Sequence, residues 1–240
     1  MAGAVLVQGP IPQDPRYHVF ADKRTLLGVP NGMNLLSSVL FVLAGGWGIA
    51  VLQQRRKAGE RKRADLQYLL FFSGVLLSGM GSMYYHLEPA NSSLVWDRLP
   101  MSIAFTALFS SVVSECIDAR AGDALLFPLL TLGIFSVLFW AWTEQTGSGD
   151  LRPYILVQFL PLVLIPLILI LYRPPRDYAA AIWGLAVLYL ISKGFEVADR
   201  QVYALTGAVS GHTIKHVLAA AGTGLIAAML DRREGRRETA

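Results

Sequence analysis

Seven long apolar runs constrain this chain of 240 residues more than any other feature. A helix needs about 20 apolar residues to cross the hydrocarbon core of a bilayer. Only short polar links separate the runs, which leaves no room for a soluble module between them. The sequence therefore predicts an all-α polytopic membrane protein, a bundle of seven transmembrane helices at approximately residues 33–52, 66–87, 99–117, 124–142, 154–172, 178–191 (extending toward Phe195) and 208–230.

The composition supports a membrane location. Hydrophobic residues make up 54% of the chain and charged residues only 16%, whereas a soluble domain carries about 25% charged residues. The mean hydropathy is +0.46. These values exclude a soluble globular enzyme and a disordered chain. The net charge of +4 does not indicate nucleic-acid binding, because basic residues are common beside membrane helices. We therefore expect no nucleic-acid partner.

The distribution of basic residues predicts the orientation, because cytoplasmic loops are enriched in Lys and Arg. Thirteen of the 21 basic residues lie on one side, mostly in the link at 53–63 and in the C-terminal tail. Seven lie on the other side, and Lys215 lies within the last predicted helix. We predict an exposed N-terminal arm at 1–32 that is outside or lumenal, a seven-helix transmembrane domain at 33–230 and a basic cytoplasmic tail at 231–240.

Five polar residues stand out at the ends of the apolar runs. Ser82 and His86, at the end of the second run, are four residues apart and share one helix face. His212 and His216 have the same spacing, which lets one helix offer two imidazoles to one metal ion. Asp97 precedes the third run. Taken singly, Ser82 is also explained by packing, His86 as an interfacial residue and Asp97 as a helix N-cap.

Together these residues indicate a chemical function. The alternating direction of the helices places all five near the outer surface, at one depth in the membrane. Three neutral imidazoles with an open fourth position form a catalytic zinc arrangement. Zinc would activate water, Asp97 would take and return a proton, and Ser82 would hydrogen-bond the developing oxyanion. We expect hydrolysis of an amide or ester carbonyl in a lipid, because a lipid reaches this depth with ease.

The same motifs resemble those of the alkaline ceramidase family: Ser82-x-x-x-His86, Asp97 eleven residues after His86, and His212-x-x-x-His216. That family belongs to a superfamily of seven-helix membrane hydrolases that includes progestin- and adiponectin-type receptors. The resemblance covers nearly the whole chain. It implies an intramembrane pocket, zinc bound by the three histidines, proton transfer by Asp97 and oxyanion stabilisation by Ser82. It also implies cleavage of a ceramide-like lipid to a sphingoid base and a fatty acid.

One stretch departs from the animal and yeast members of that family, which carry an acidic calcium site before the first helix. Here only Asp22, Asn31 and Asn34 offer suitable oxygens, and Lys23 and Arg24 oppose a cation. Calcium usually binds more than one carboxylate, so we expect zinc and no calcium. The short, loop-poor chain is more similar to bacterial members, for which we expect the inner membrane. A eukaryotic member would lie in the endoplasmic reticulum or Golgi.

Other interpretations stay open at this level. The rival function is a non-enzymatic lipid receptor with a structural zinc, which would need neither Asp97 nor Ser82. A haem bundle would need histidines on facing helices, and a retinal protein would need Lys215 deeper in the membrane. We expect Lys215 to extend outward along its helix. Glu196 and Asp199 are either solvated loop residues or carboxylates that orient zinc-bound imidazoles. The sequence does not specify the acyl chain, head group, reaction direction or oligomeric state.

Overall fold

Helices account for most of the protein. The computed structural model describes residues 9–59 and 64–238, with side chains as far as residue 233. In this part of the chain no β-strand occurs, and seven helices are long and apolar enough to cross a membrane. The predicted all-α seven-helix membrane bundle is confirmed. After a 3-10 helix at Pro15–His18, the helices are α1 (Gly32–Lys57), α2 (Asp65–Leu87), α3 (Asn91–Cys116), α4 (Ala119–Gln145), α5 (Arg152–Tyr172), α6 (Arg176–Val197), the short α7 (Asp199–Thr206) and α8 (Gly211–Glu238).

The helices surround a central space. Helix α2 packs between α1 and α3, and α8 packs on α1 and α6. Helix α5 packs mainly on α3 and α4 and faces α6, to which it is linked by a 2.6 Å hydrogen bond from Gln158 Nε2 to Tyr189 OH. Because the links are short, consecutive spanning helices are antiparallel. The end of α2, the start of α3, the end of α6 and the start of α8 therefore share one end of the bundle.

A close approach of α2 and α3 aligns two residues expected at the site. Pro100 has no N–H, so the carbonyl of Trp96 lacks its usual partner within the helix. Gly81 of α2 lies directly against that carbonyl, and a Cβ at this position would collide with the oxygen. The missing side chain at Gly81 thus lets the two backbones meet beside Ser82 and Asp97.

Helix α3 begins at Asn91, well before the predicted start at residue 99. Residues 91–98 mix polar and apolar side chains and lie outside the predicted span, but the Ser93 hydroxyl lies 3.1 Å from Ala90 N, which donates to it, and 2.5 Å from the carbonyl oxygen of Glu88. Leu94 is completely buried. Capping and burial therefore stabilise a turn that hydropathy alone did not predict.

The N-terminal arm is exposed over most of its described residues, 9–31, but part of it packs on the bundle. Phe20 and Asp22 are buried. Ala21 N donates a 2.8 Å hydrogen bond to Asp199 Oδ2 at the start of α7, which fastens the arm to the bundle. Apolar burial and this hydrogen bond together hold the arm over the end of the bundle where α8 begins.

Some predicted features lie outside the described residues: the first part of the arm at 1–8, the centre of the basic link at 60–63 and the chain end at 239–240. Within the described residues, α8 continues through most of the predicted tail, to Glu238. The division into arm, transmembrane domain and tail, and the orientation in the membrane, stay predictions.

Candidate metal centre

Three histidines form a buried cluster at the end of the bundle covered by the arm. His86 lies in the last turn of α2, and His212 and His216 lie in the first turns of α8. One ring nitrogen from each lies within 4.8 Å of the others. The ring centroids are 4.7 to 5.2 Å apart. The convergence predicted from the sequence is therefore present, and its spacing is compatible with a shared metal ion such as zinc.

The unpaired ring nitrogens of His86 are consistent with metal binding. Its side chain is completely buried, and neither ring nitrogen has a hydrogen-bond partner among the residues that the structure describes. Buried polar atoms are nearly always paired, and an unpaired one costs about 1–3 kcal/mol. A metal ion held by one of these nitrogens would remove part of that cost. Three protein ligands would leave a fourth position for water or substrate, as in catalytic zinc sites.

Helix α1 supports the cluster, which the sequence interpretation missed. Ser37 Oγ lies 2.8 Å from His216 Nδ1, and Ser38 Oγ lies 3.4 Å from the same nitrogen. Asn34 Oδ1 accepts hydrogen bonds from Thr213 at the start of α8, at 2.9 Å, and from Ser210, at 3.4 Å. The available signal was the spacing of Asn34, Ser37 and Ser38, which places three polar groups on one face of an otherwise apolar helix.

Phe20 of the arm covers the cluster from outside. Its ring centroid lies 4.6 Å from that of His86 and 4.8 Å from that of His212. On the membrane side, the Phe41 ring lies 5.5 Å from His216. These rings limit access of bulk water, and neither contact was predicted. Phe20 was missed because an aromatic residue in a proline-broken arm gives no local signal of a long-range contact.

Ser82 and Asp97 border the same space as His216. All three line one cavity of about 410 Å³. Ser82 Oγ lies 3.1 Å from Ser38 Oγ, which connects it with the support of His216. Asp97 is outside the three-histidine cluster and makes no hydrogen bond or ion pair with a described residue. Its carboxylate thus borders the same cavity as His216 without belonging to the histidine cluster.

The interpretation of Asp97 as a helix N-cap is wrong. Because α3 begins at Asn91, Asp97 lies in the second turn, where backbone N–H groups already have helical partners. The first turn is capped through Ser93 instead. The side chain of Asp97 is left free to face the cavity that it lines.

Lys215 and Glu196 form an ion pair inside the bundle. Lys215 Nζ lies 2.5 Å from Glu196 Oε1. The other carboxylate oxygen of Glu196 pairs with Lys193, and Tyr17 OH donates to Glu196 Oε1 at 3.1 Å. The expectation that Lys215 extends outward is therefore wrong, since a buried carboxylate on α6 holds its ammonium group. Glu196 is neither a solvated loop residue nor a partner of an imidazole.

Asp199 binds backbone groups. Its Oδ1 accepts a 2.7 Å hydrogen bond from the backbone N–H of His212, while Oδ2 accepts the bond from Ala21. The proposed contact with an imidazole is not present, because the carboxylate caps the first turn of α8 and joins it to the arm. Asp199 thus positions the backbone that carries His212.

The cavity has a polar end and an apolar end. Ser82, Asp97 and His216 lie at the polar end, near the arm. The cavity then continues between α2, α3, α5, α6 and α8, where apolar side chains dominate the wall. Its volume lies within the range of about 300–1,000 Å³ that is typical of small-molecule sites. The apolar wall includes Phe71, Val75, Leu108, Ile165 and Ile182.

Of the three residues considered for calcium, Asp22 and Asn34 use their side-chain oxygens in hydrogen bonds within the protein. Both carboxylate oxygens of Asp22 accept hydrogen bonds from the Arg24 side chain, at 2.9 and 2.6 Å. This contact lowers the pKa of the Asp22 carboxyl. Asn31 Nδ2 donates to the backbone carbonyl of His86 at 3.0 Å, so this residue also supports the histidine cluster.

No family model matches the sequence, and a comparison with curated proteins gives no significant match. What is shown is a polytopic membrane protein with three buried histidines close enough to hold one metal ion. Any narrower assignment depends on the chemistry of these residues and of the cavity beside them.

Proposed function

We propose that the protein is an intramembrane zinc-dependent hydrolase that cleaves the amide bond of a ceramide-like lipid. The observation that carries the proposal is the junction of a three-histidine cluster with a largely apolar cavity that Ser82 and Asp97 also line. The cluster suits zinc, and the cavity suits a lipid chain. Ser82 and Asp97 match the needs of carbonyl hydrolysis, an oxyanion donor and an acid/base.

The residues have complementary roles in this proposal. The apolar wall holds the hydrocarbon chain and brings the amide carbonyl to the polar end. When bound, zinc supplies Lewis acidity that polarises the carbonyl and makes water a better nucleophile near neutral pH. Ser82 donates a hydrogen bond to the carbonyl oxygen as negative charge develops there.

Asp97 transfers a proton from the attacking water to the amide nitrogen. It accepts a proton from the attacking water as the new C–O bond forms, and it returns that proton to the amide nitrogen as the C–N bond breaks. The products are a fatty acid and an amine, here a sphingoid base. The absence of a hydrogen bond or ion pair between Asp97 and any described residue leaves its carboxylate available for both transfers.

Helix α1 and the arm prepare the site. Ser37 occupies Nδ1 of His216, so Nε2 is the nitrogen available to a metal. Phe20 packs on two of the three imidazoles and limits entry of bulk water. Rings held in this way lose little freedom when a ligand binds, which favours catalysis.

The test is the release of free fatty acid from a short-chain ceramide, with other lipid amides in parallel. We expect release by the zinc-loaded protein and loss of release after chelation or in His216→Ala. The matched control is His18→Ala. His18 also lies at the arm end of the bundle, but its ring nitrogens bond Tyr85 OH and Asn91 Oδ1 at 2.9 Å.

The same assay separates hydrolysis from the alternative, a lipid receptor with a structural zinc. A receptor would bind the lipids and retain zinc but release no fatty acid from any of them. That outcome would contradict the proposal. Release that persists at the full rate in His216→Ala would also contradict it.

A further inference from the structure

Arg98 is a buried cation at the polar end of the cavity. It follows Asp97 on α3, lines the cavity and is only 6% exposed. Its Nη2 donates a 2.6 Å hydrogen bond to the side-chain oxygen of Gln13, a neutral group. Its Nη1 is buried and has no hydrogen-bond partner among the described residues.

Aromatic rings surround this guanidinium. Its central carbon lies 4.4 Å from the ring centroid of Trp140, 5.0 Å from that of Tyr154 and 5.4 Å from that of Tyr17. Cation–π contacts lower the cost of burying the charge. They do not neutralise it, and a buried charge without a counter-ion is costly.

Two other arginines at this end of the bundle each form an ion pair, which Arg98 does not do with any described residue. Arg24 pairs with Asp22 at 2.6 Å, and Arg152 pairs with Asp150 at 2.7 Å. Within the described part of the chain, Arg98 forms no such ion pair. The contrast indicates that no residue in the described part of the chain supplies a counter-ion for Arg98.

The carboxylates near Arg98 are engaged elsewhere or lie beyond ion-pair distance. Glu144 accepts hydrogen bonds from the Gln13 backbone at 2.6 Å and from Trp140 Nε1 at 3.1 Å. Asp14 accepts from Arg16 N at 2.9 Å. Asp97, the adjacent residue, lines the cavity but does not pair with Arg98.

The facing wall adds two more cationic groups. Lys193 and Lys215 line the same cavity, and the single carboxylate of Glu196 serves both. Three cationic side chains thus border the polar end, and among the residues that the structure describes only the Glu196 carboxylate pairs with any of them. This environment favours a ligand that brings its own negative charge.

We propose that Arg98 forms a subsite for an anionic group on the lipid, so that the substrate is a lipid amide whose head group carries a phosphate, sulfonate or carboxylate. This rests on the proposed function for the amide bond and adds the chemistry of the head group. The planar guanidinium suits two oxygens of one anion. A head group bound there lies beside Asp97, with the chain along the apolar wall.

The test compares two lipids that differ by one anionic group, a short-chain ceramide and its 1-phosphate. Dissociation constants are measured with zinc-loaded full-length protein in neutral detergent, in an Asp97→Asn background that prevents turnover. Gln13→Glu places a carboxylate against Arg98 in nearly the same volume, and Arg98→Gln removes the charge. Arg24→Gln, which breaks an ion pair outside the cavity, is the matched control.

We expect the Asp97→Asn protein to bind the phosphate form at least about tenfold more tightly, the scale of a hydrogen bond to a charged group. With Gln13→Glu or Arg98→Gln added, the preference should fall below about threefold. With Arg24→Gln added, it should not change. Equal binding of the two lipids overturns the proposal, as does a preference that survives both cavity variants. Because Gln13→Glu retains Arg98, its effect on the preference for the phosphate form tests the proposal even if Arg98→Gln does not fold.

Two further outcomes identify which idea fails. If inorganic phosphate alone displaces the phosphate form at similar concentrations, the site takes a free anion and the assignment to a lipid head group is overturned. If the parent protein hydrolyses neither lipid but the charge preference is present and depends on Arg98, the hydrolase proposal fails while the anionic subsite stands. If the parent protein hydrolyses the lipids but shows no preference for the phosphate form, the anionic subsite fails while the hydrolase proposal stands.

Discussion

His216 Nδ1 lies 2.8 Å from Ser37 Oγ, which joins the first turns of α8 to α1. A histidine that binds a metal through one nitrogen generally uses the other in a hydrogen bond that fixes its ring. Here the serine holds Nδ1, so Nε2 is the nitrogen that would be free to bind a metal. The contact shows that α1, which contributes no histidine, is part of the centre.

The first prediction concerns metal content. The purified protein should hold about one zinc per chain, as expected for a three-histidine site. His86→Ala, His212→Ala and His216→Ala should each lose most of it, because two imidazoles hold zinc far more weakly. Elemental analysis after gel filtration measures the content, with His18→Ala as the control that keeps it. Full zinc retention in all three variants would show that the cluster is not the metal site.

The second prediction concerns Ser37. Ser37→Ala should weaken zinc binding by about 10- to 100-fold, the usual effect of removing a group that orients a metal-bound histidine. Competition with a chromophoric chelator measures the affinity. Ser110→Ala is the matched control, because Ser110 is also buried but bonds the carbonyl of Gly122, away from the site. An unchanged affinity would mean that packing or Ser38 fixes the ring instead.

The third prediction separates Asp97 from the metal ligands. Asp97→Asn keeps the shape of the side chain, so fold and zinc content should survive. Turnover should fall by about 100-fold or more, because a positioned acid/base is lost. Ser82→Ala should lose less, since the Ser38 hydroxyl lies 3.1 Å from the removed oxygen. Fatty acid release over a range of pH is the measurement. An Asp97→Asn variant as fast as the parent at every pH would leave Asp97 without a role in proton transfer.

The fourth prediction concerns topology. The excess of basic residues in the first link and the chain end predicts that both are cytoplasmic. A reporter fused after Ala240 should be active only in the cytoplasm. A fusion before Met1 is the matched control and should report the opposite side. The reverse pattern would move the histidine cluster to the other leaflet and would contradict the predicted orientation.

Much of the candidate site could be predicted because its residues are polar side chains at the ends of otherwise apolar helices. His212 and His216 share a helix face by spacing alone, and the alternating direction of the helices brings His86 to the same end. Glu196 and Lys215 show the limit of this reasoning. Each is a charged residue near a helix end, which suggests a solvated position, but their mutual contact depends on how α6 and α8 pack.

The sequence by itself determined the fold class, the order of the helices and the end of the bundle at which the polar residues meet. These follow from hydropathy and helical periodicity, which are local properties. Only the tertiary structure decided that Phe20 folds back over the histidines, that Ser37 contacts His216 and that Arg98 is buried with no ion pair to any described residue. The reason is physical: a side chain's partners depend on the rotation and close approach of helices distant in sequence, and on contacts such as that of Gly81 with the Trp96 carbonyl.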